Sequence, residues 1–507
     1  MANDRGRPLF LGIDVGSTST KLALFDERGR LAAMERAETP VERPAEGHVE
    51  IALEALWSSI IELAGRLARS SPGAASRVEG LGISSLCPGL TALSEQGQPL
   101  TGAITFMDRR SLEETEIIRR AVGGEQALFA LSGNRLMPGS CSLSSMVWIR
   151  DKLPELYRRT RYFGHIPTFL GRRLTGRFGM DYSNASYTGL FRTAGDPAFE
   201  WSAETAAAVG IEAAKLPPLV PAWRKLGGLD CPGLEAAGFR RGLAVAMGGG
   251  DTACAALAVD VLEHDQVFES AGTSDVLTVC SDRPDFDGRF MNRCHVAPGR
   301  WLFHGAMSST GAALFWLKDE VFRENGPEAW PRVLGEVEAL PDEAELPVFL
   351  PYMAGERSPV WDPRARGVFF GLDLSMGRPQ LAKAVMEGCA FGLRQLLEIV
   401  EARLGRPVGR ILSIGGWASC EPWARMKADA TGRRFVLLDS GEAAALGAAM
   451  LGAVAAGCHP DPRSAAAAVD RTILKEFEPR PSGRAARERR YRRYLELYPR
   501  LKDLFDA

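Results

Sequence analysis

Gly12-Ile-Asp-Val-Gly-Ser-Thr-Ser-Thr-Lys21 decides how this chain is read. Leu9 to Val15 is apolar enough for a buried strand, and a carboxylate, Asp14, sits at its end. A turn of glycine and hydroxyl residues follows, then a second strand from Lys21 to Phe25, a hairpin turn at Asp26-Glu-Arg-Gly29 and a third strand from Arg30 to Met34. Small residues let backbone N–H groups approach phosphate oxygens closely and form an anion-binding concavity. A carboxylate beside that concavity suits Mg²⁺, held directly or through water. The same residues also fit an ordinary hairpin with an Asx-type turn. They do not form a Walker A loop, because no Lys-Ser/Thr pair follows a Gly-x-x-x-x-Gly pattern.

Outward from this stretch, Glu50 to Arg69 has the apolar spacing of a helix, and Val78 to Ser84 and Leu90 to Leu93 read as strands. The region from about 110 to 240 is richer in helical pattern. A short apolar strand at Leu243–Met247 then enters Gly248-Gly-Gly-Asp251 and an Ala-rich helix, Thr252 to Val259. The opening theme returns with a strand at Val267–Ser270, a turn at Ala271-Gly-Thr-Ser274 and a strand at Asp275–Cys280. Ile411–Ile414 is a buried strand ending at Gly415-Gly416; Arg434–Leu438 is another, and a small-residue helix spans about Glu442 to Ala456. The two strand–turn–strand units lie about 260 residues apart. This predicts two similar α/β halves with a cleft between them, an N-terminal domain at 1–255 and a C-terminal domain at 256–507.

Composition limits the alternatives. The 507 residues are 46% hydrophobic and 24% charged, which excludes a disordered chain. A net charge of -2 gives no global steering towards nucleic acid or an anionic membrane. The nine cysteines include no C-x-x-C pair, so neither a disulfide framework nor a zinc knuckle is indicated. The N-terminus lacks a signal-peptide layout, and the longest uncharged stretch, Ala443–Gly457, is shorter than the ~20 residues a bilayer needs. A cytoplasmic location is the expectation. Arg484 to Leu504 is basic but also carries acids, the pattern of a solvated amphipathic helix rather than a nucleic-acid arm.

Three further motifs carry chemistry. Gly248-Gly-Gly-Asp251 opens a helix, a setting that suits anions; its Asp is either an N-cap or a general base for an attacking alcohol. Ala271-Gly-Thr-Ser274 is the second-half counterpart of the first turn and is placed to grip phosphates. Ile414-Gly-Gly-Trp-Ala-Ser-Cys-Glu-Pro-Trp423 offers a flat backbone for a purine ring, or simply a tight strand-to-helix connection.

Together these segments resemble the FGGY carbohydrate kinases of the actin/hexokinase-like ATPase superfamily, over about Leu9 to Gly457. The most specific stretch is Gly367-Val-Phe-Phe-Gly-Leu372 with Gln380-Leu381 and Ala384-Val-Met-Glu387, which fits the family's C-terminal signature. Asp181-Tyr-Ser-Asn-Ala-Ser186 and Leu174-Thr-Gly176 resemble its middle region, and Leu216-Pro217 through Gly248-Gly-Gly-Asp-Thr-Ala253 the approach to its catalytic aspartate. The resemblance implies two ribonuclease H-like domains flanking an ATP/sugar cleft. It implies Asp14, Gly16 and Thr18 on the first phosphate loop, with Asp14 near Mg²⁺, and Gly272, Thr273 and Ser274 on the second. Asp251 is the implied general base. Gly311, Gly415 and Gly416 are implied at the nucleotide, and Cys87, Pro88, Asp108 and Asp251 at the sugar.

The chain departs from the family pattern at three places. Ser145 replaces a Lys, Trp417 replaces a third Gly, and Ser85-Leu-Cys-Pro-Gly89 stands where xylulose kinases carry Met-His and glycerol kinases Arg-Glu. The overall spacing is closest to the xylulose-kinase branch. The implied activity is ATP-dependent phosphorylation of a hydroxyl on a small sugar or polyol, a ketopentose such as xylulose being the first candidate. The alternative is a catalytically weak sugar- and ATP-binding relative or sensor. No nucleic-acid or membrane partner is expected, and a homodimer is the default oligomer.

Overall fold

A computed structural model describes residues 6–195, 198–439 and 442–505 of the chain. The molecule divides into two compact units, each interrupted in sequence. The first comprises Met1–Leu262, Cys280–Phe303 and Glu442–Asp470; the second comprises Glu263–Val279, His304–Gly441 and Arg471–Ala507.

In the first unit the opening meander is formed by Leu9–Val15, Ser19–Asp26 and Leu31–Glu38, each antiparallel to the next. Val78–Ser85 then lies parallel to Leu9–Val15, and Ala244–Ala246 parallel to Val78–Ser85. The helix predicted from Glu50 starts later, at Leu53, and runs to Ser70. Glu50 and Ile51 instead pair as a short strand with Ala103 and Ile104. Leu53, Leu56, Ile60, Leu63 and Leu67 of that helix are buried against the sheet, each contributing about 1.5–3 kcal/mol.

The sheet's other face is covered by the small-residue helix Ala443–Ala455, which packs against Asp251–Ala258. Its Ala and Gly content has a steric cause. A Cβ on Gly12 would lie 2.0 Å from the Ala445 carbonyl oxygen, one on Gly82 1.9 Å from that of Ala448, and one on Gly447 1.9 Å from that of Cys254. Sheet and helices therefore meet backbone to backbone, which only glycine allows at these positions. A second sheet in this unit contains Gly89–Leu93, Ala103–Thr105 and Tyr162–His165.

The second unit repeats the plan. Val267–Ala271 is antiparallel to Asp275–Ser281 and parallel to Arg410–Ile414, which is parallel to Arg434–Leu438. Trp301–Met307 neighbours Asp275–Ser281, and Ile473–Phe477 closes the far edge. Each unit thus contains an antiparallel strand pair across a turn, followed by parallel strands, the repetition expected from the two turn motifs. The 27-residue helix Arg378–Leu404 carries much of this unit's core, with Val385, Met386, Cys389 and Phe391 buried. The basic C-terminal segment forms a helix, Arg484–Leu501. On it Tyr491 and Tyr494 are buried, and Arg490 forms a buried ion pair with Glu387 at 2.5 Å.

Candidate active site

The first unit gathers its candidate residues through strand register. Asp14 is opposite Ser84 in the parallel pair Leu9–Val15/Val78–Ser85, and Gly249 and Gly250 pair with Ser84 and Ser85. Three consecutive strand ends therefore deliver Asp14, Ser84 and the loop bearing Asp251 to one sheet edge. The Ser84 hydroxyl donates to Asp14 Oδ1 at 2.8 Å. Burial pushes the Asp14 carboxyl up to about 6, against the opposing effects of Ser84 and Lys21; the charge of Asp251 also raises it. Lys21 is itself paired with Glu442 at 2.5 Å. Past Asp14 the chain turns tightly, the Gly16 amide donating to the Ser19 carbonyl at 3.0 Å, and Thr18 is exposed at the tip.

Asp251 is half-buried at the start of the helix Asp251–Ala258. The Thr252 amide donates to its Oδ1 at 2.6 Å. Burial raises its carboxyl above the ordinary range, partly offset by the positive charge of Arg293. The loop before it is tied down by a residue that motif reading did not single out. The Gly250 amide donates to Ser183 Oγ at 2.9 Å, and that hydroxyl in turn donates to Asp181. Arg293, on the strand Met291–Cys294, was also missed. It is 3% exposed, its guanidinium lies 4.3 Å over the Tyr187 ring, and its Nε donates to Tyr187 Oη at 3.1 Å. A Cβ on Gly250 would come within 2.3 Å of Arg293 Nη1, so the third glycine of Gly248-Gly-Gly-Asp251 makes room for this side chain.

Cys87 and Pro88 follow the strand Val78–Ser85; Cys87 is half-buried and Pro88 buried. Cys87 Sγ lies 3.6 Å from His165 Nδ1, and burial pushes its thiol far up, so it stays protonated. Asp108 is committed elsewhere. Its carboxylate accepts from the Val49 amide at 2.7 Å and from Arg110 Nη2 at 2.7 Å, and Arg110 also pairs with Glu50. No hydrogen bond or ion pair among the described residues links Asp108 to Asp251.

The second unit assembles its candidates around Ala271 and Gly272. Thr273 is exposed, with Gly272 and Ser274 half-exposed on either side. A Cβ on Gly311 would lie 2.3 Å from the Gly272 carbonyl oxygen and 2.6 Å from Trp417 Nε1. Gly415 has φ +98° and would place a Cβ 2.5 Å from the Ala271 carbonyl oxygen. Gly415 and Gly416 are both exposed, and nothing stands within 4 Å of a Cβ on Gly416. Trp417 does not cover this glycine surface alone: it sits edge-on among Phe315, Trp330 and Trp423, at ring separations of 5.6, 4.9 and 5.3 Å.

Beneath the turn lies a buried charge cluster not anticipated from the motifs. Asp275 accepts from Thr310 Oγ1 at 2.9 Å and from Lys427 Nζ at 2.6 Å, and Lys427 also binds Glu269. Burial raises the Glu269 carboxyl, and the two carboxylates hold Lys427 charged. The cluster fixes the turn from below, with the Ala312 amide bonded to the Thr273 carbonyl at 3.0 Å.

Comparison with known proteins matches this arrangement. Residues 9–258 match the FGGY family of carbohydrate kinases, N-terminal domain, and residues 267–456 its C-terminal domain. The chain belongs to the FGGY carbohydrate kinase family. It is 29% identical over 499 residues to a xylulose kinase of Bacillus subtilis (strain 168), covering 98% of both chains. It is 28% identical over 455 residues to a gluconokinase of the same organism, covering 88% of this chain and 87% of that one. Among solved structures, one described as a xyloylose kinase from Brucella ovis has a TM-score of 0.89 at 28% identity, over 98% of this chain and 100% of that one. The FGGY chain described here is accordingly an ATP-dependent sugar kinase with the actin/hexokinase-type fold. Among its described residues no helix is long and apolar enough to cross a membrane.

Proposed function

We propose that Asp251 is the general base of this kinase and that its acceptor is a ketopentose such as xylulose. The observation that carries the proposal is the strand register that sets the Asp251 loop beside Ser84 and Asp14. A raised carboxyl at Asp251 is a stronger proton acceptor than an ordinary aspartate, while its half-exposed position leaves it open to an acceptor hydroxyl. It takes the hydroxyl proton as that oxygen attacks the γ-phosphorus of ATP and the bond to the bridging oxygen breaks, releasing ADP.

The residues present fit Mg²⁺ and a nucleotide. Asp14 is a buried carboxylate accepting a single side-chain hydrogen bond from Ser84, and burial, by stripping its hydration, raises its pKa; a bound cation would favour the charged form. Mg²⁺ needs few protein ligands, since it keeps waters and phosphate oxygens; when bound it neutralises charge developing on the phosphates. Thr18 in the first unit, and Thr273 and Ser274 in the second, each offer hydroxyl and backbone N–H donors to phosphate oxygens, while Gly16 and Gly272, whose amides donate to the Ser19 and Ser274 carbonyls, allow close backbone approach. Gly415 and Gly416 leave an exposed backbone surface on which the base and ribose rest, while the buried Gly311 makes room for the Gly272 carbonyl and Trp417. Cys87 and Pro88 border the acceptor. Most of the rate enhancement is then positioning and electrostatics.

The test is coupled ADP release with MgATP across ketoses, aldoses and polyols. Turnover that depends on the ketopentose supports the reading. Equal ADP release with and without every acceptor contradicts it and favours a sugar-binding relative.

A further inference from the structure

Arg293 is a buried cation without a protein counter-ion in contact. No carboxylate among the described residues forms an ion pair with it, and Nη1 is fully buried with no hydrogen-bond partner. Its one hydrogen bond is from Nε to Tyr187. A buried charge left like this is costly unless something else completes it.

The surroundings show what is missing. Asn184 Nδ2 donates to Asp181 at 2.6 Å, which turns its carbonyl oxygen towards His165 Nδ1 at 3.1 Å. His165 therefore carries its proton on Nδ1 and accepts from Ser142 at Nε2, 2.7 Å away. Asp181 is occupied by Ser183 and Asn184. The unspent groups are the terminal nitrogens of Arg293 and the Tyr187 hydroxyl proton, all donors. Asp251 Oδ1 accepts from Thr252, and its other oxygen, Oδ2, has no hydrogen bond among the described residues and is reserved for the reacting hydroxyl.

We propose that Arg293 is a specificity residue for the acceptor: it selects a substrate bearing an sp² oxygen, ketone or carboxylate, over an all-hydroxyl polyol. A guanidinium only donates, so it is matched by an oxygen that only accepts. A hydroxyl in the same place must send its own proton to an acceptor, and this corner has none to spare. The proposal rests on the kinase reading above and narrows its substrate class.

The experiment compares three five-carbon compounds, the ketose, the corresponding pentitol and the corresponding aldonate, in the wild-type enzyme, Arg293→Met and Arg293→Lys. The wild type should favour the ketose or the aldonate over the pentitol by about 10- to 100-fold in kcat/KM, the worth of one charge-assisted hydrogen bond; which of the two wins distinguishes ketone from carboxylate. Arg293→Met should erase that preference through KM of the sp²-oxygen compound, with KM for ATP unchanged, and Arg293→Lys should keep part of it. A pentitol used as well as the others, or an Arg293→Met enzyme that loses all three acceptors equally, overturns the proposal. If no compound supports turnover, ligand-induced melting shifts on the same series decide it separately from the kinase reading. A shift with the ketose or aldonate that Arg293→Lys weakens supports it, and no such shift overturns it. Should Arg293→Met fail to fold, the wild-type series and Arg293→Lys still give the answer.

Discussion

The Gly250 amide donates to the Ser183 hydroxyl at 2.9 Å, although 67 residues separate them in the chain. This bond holds the last glycine before Asp251 against the short helix Tyr182–Ala185. Ser183→Ala leaves a buried amide without an acceptor, at a cost of about 1–3 kcal/mol. The expected result is a modest fall in melting temperature and a larger fall in kcat, with KM for ATP little changed, as measured by calorimetry and steady-state kinetics.

If the second turn holds phosphates as proposed, the cluster beneath it should act on nucleotide binding. Thr310→Val removes one hydrogen bond to Asp275 and should raise KM for ATP several-fold while leaving KM for the acceptor alone. Lys427→Met leaves Glu269 and Asp275 buried without their cation, which should cost about 3–5 kcal/mol in urea unfolding. Adding Glu269→Gln to Lys427→Met should recover part of that loss.

Backbone contact between helices and sheet makes its glycines intolerant of any side chain. Gly447→Ala sets a methyl group 1.9 Å from a carbonyl oxygen that has no rotamer to escape into. Destabilisation at or above the upper end of the ~1–3 kcal/mol usual for overpacking is expected, read as a lowered denaturation midpoint.

His165 gives the stability a pH signature. Its folded pKa is lowered from 6.5 to about 4, first by burial, so below pH 6.5 the unfolded chain binds a proton that the folded chain refuses. Stability from this group is complete above 6.5 and lost as pH falls towards 4, on the order of 3 kcal/mol. The buried acids Asp14 and Glu356, raised to about 6 and about 7, act in the opposite sense. The clean readout is therefore a difference. The stability of the wild type relative to His165→Gln should decline between pH 6.5 and 4 and be constant above 7.

Much of this arrangement was legible in the sequence, and what was not has a common cause. The strand Leu9–Val15, the repeated strand–turn–strand unit and Gly248-Gly-Gly-Asp251 are local patterns whose residue types carry their own geometry. The Glu50 start of the first helix was displaced because Glu50 and Ile51 pair with Ala103 and Ile104, a partner about 50 residues away that no local periodicity reveals. Ser84, Ser183, Asp275 and Lys427 owe their roles to register and long-range packing, and each is an unremarkable residue type in its own segment. Arg293 could have been flagged only as an arginine in a short, mixed strand; its neighbour Gly250 is 43 residues earlier.

Asp251 is proposed to take the proton of the acceptor hydroxyl. Single-turnover phosphoryl transfer in Asp251→Asn, by rapid quench with saturating acceptor and with nucleotide affinity measured in parallel, tests it most directly. The transfer rate should fall by about 10²–10⁴, with nucleotide affinity unchanged and a melting temperature equal to or above wild type, since a half-buried carboxylate with a raised pKa has been replaced by a neutral amide. Transfer within a few-fold of the wild-type rate would contradict it.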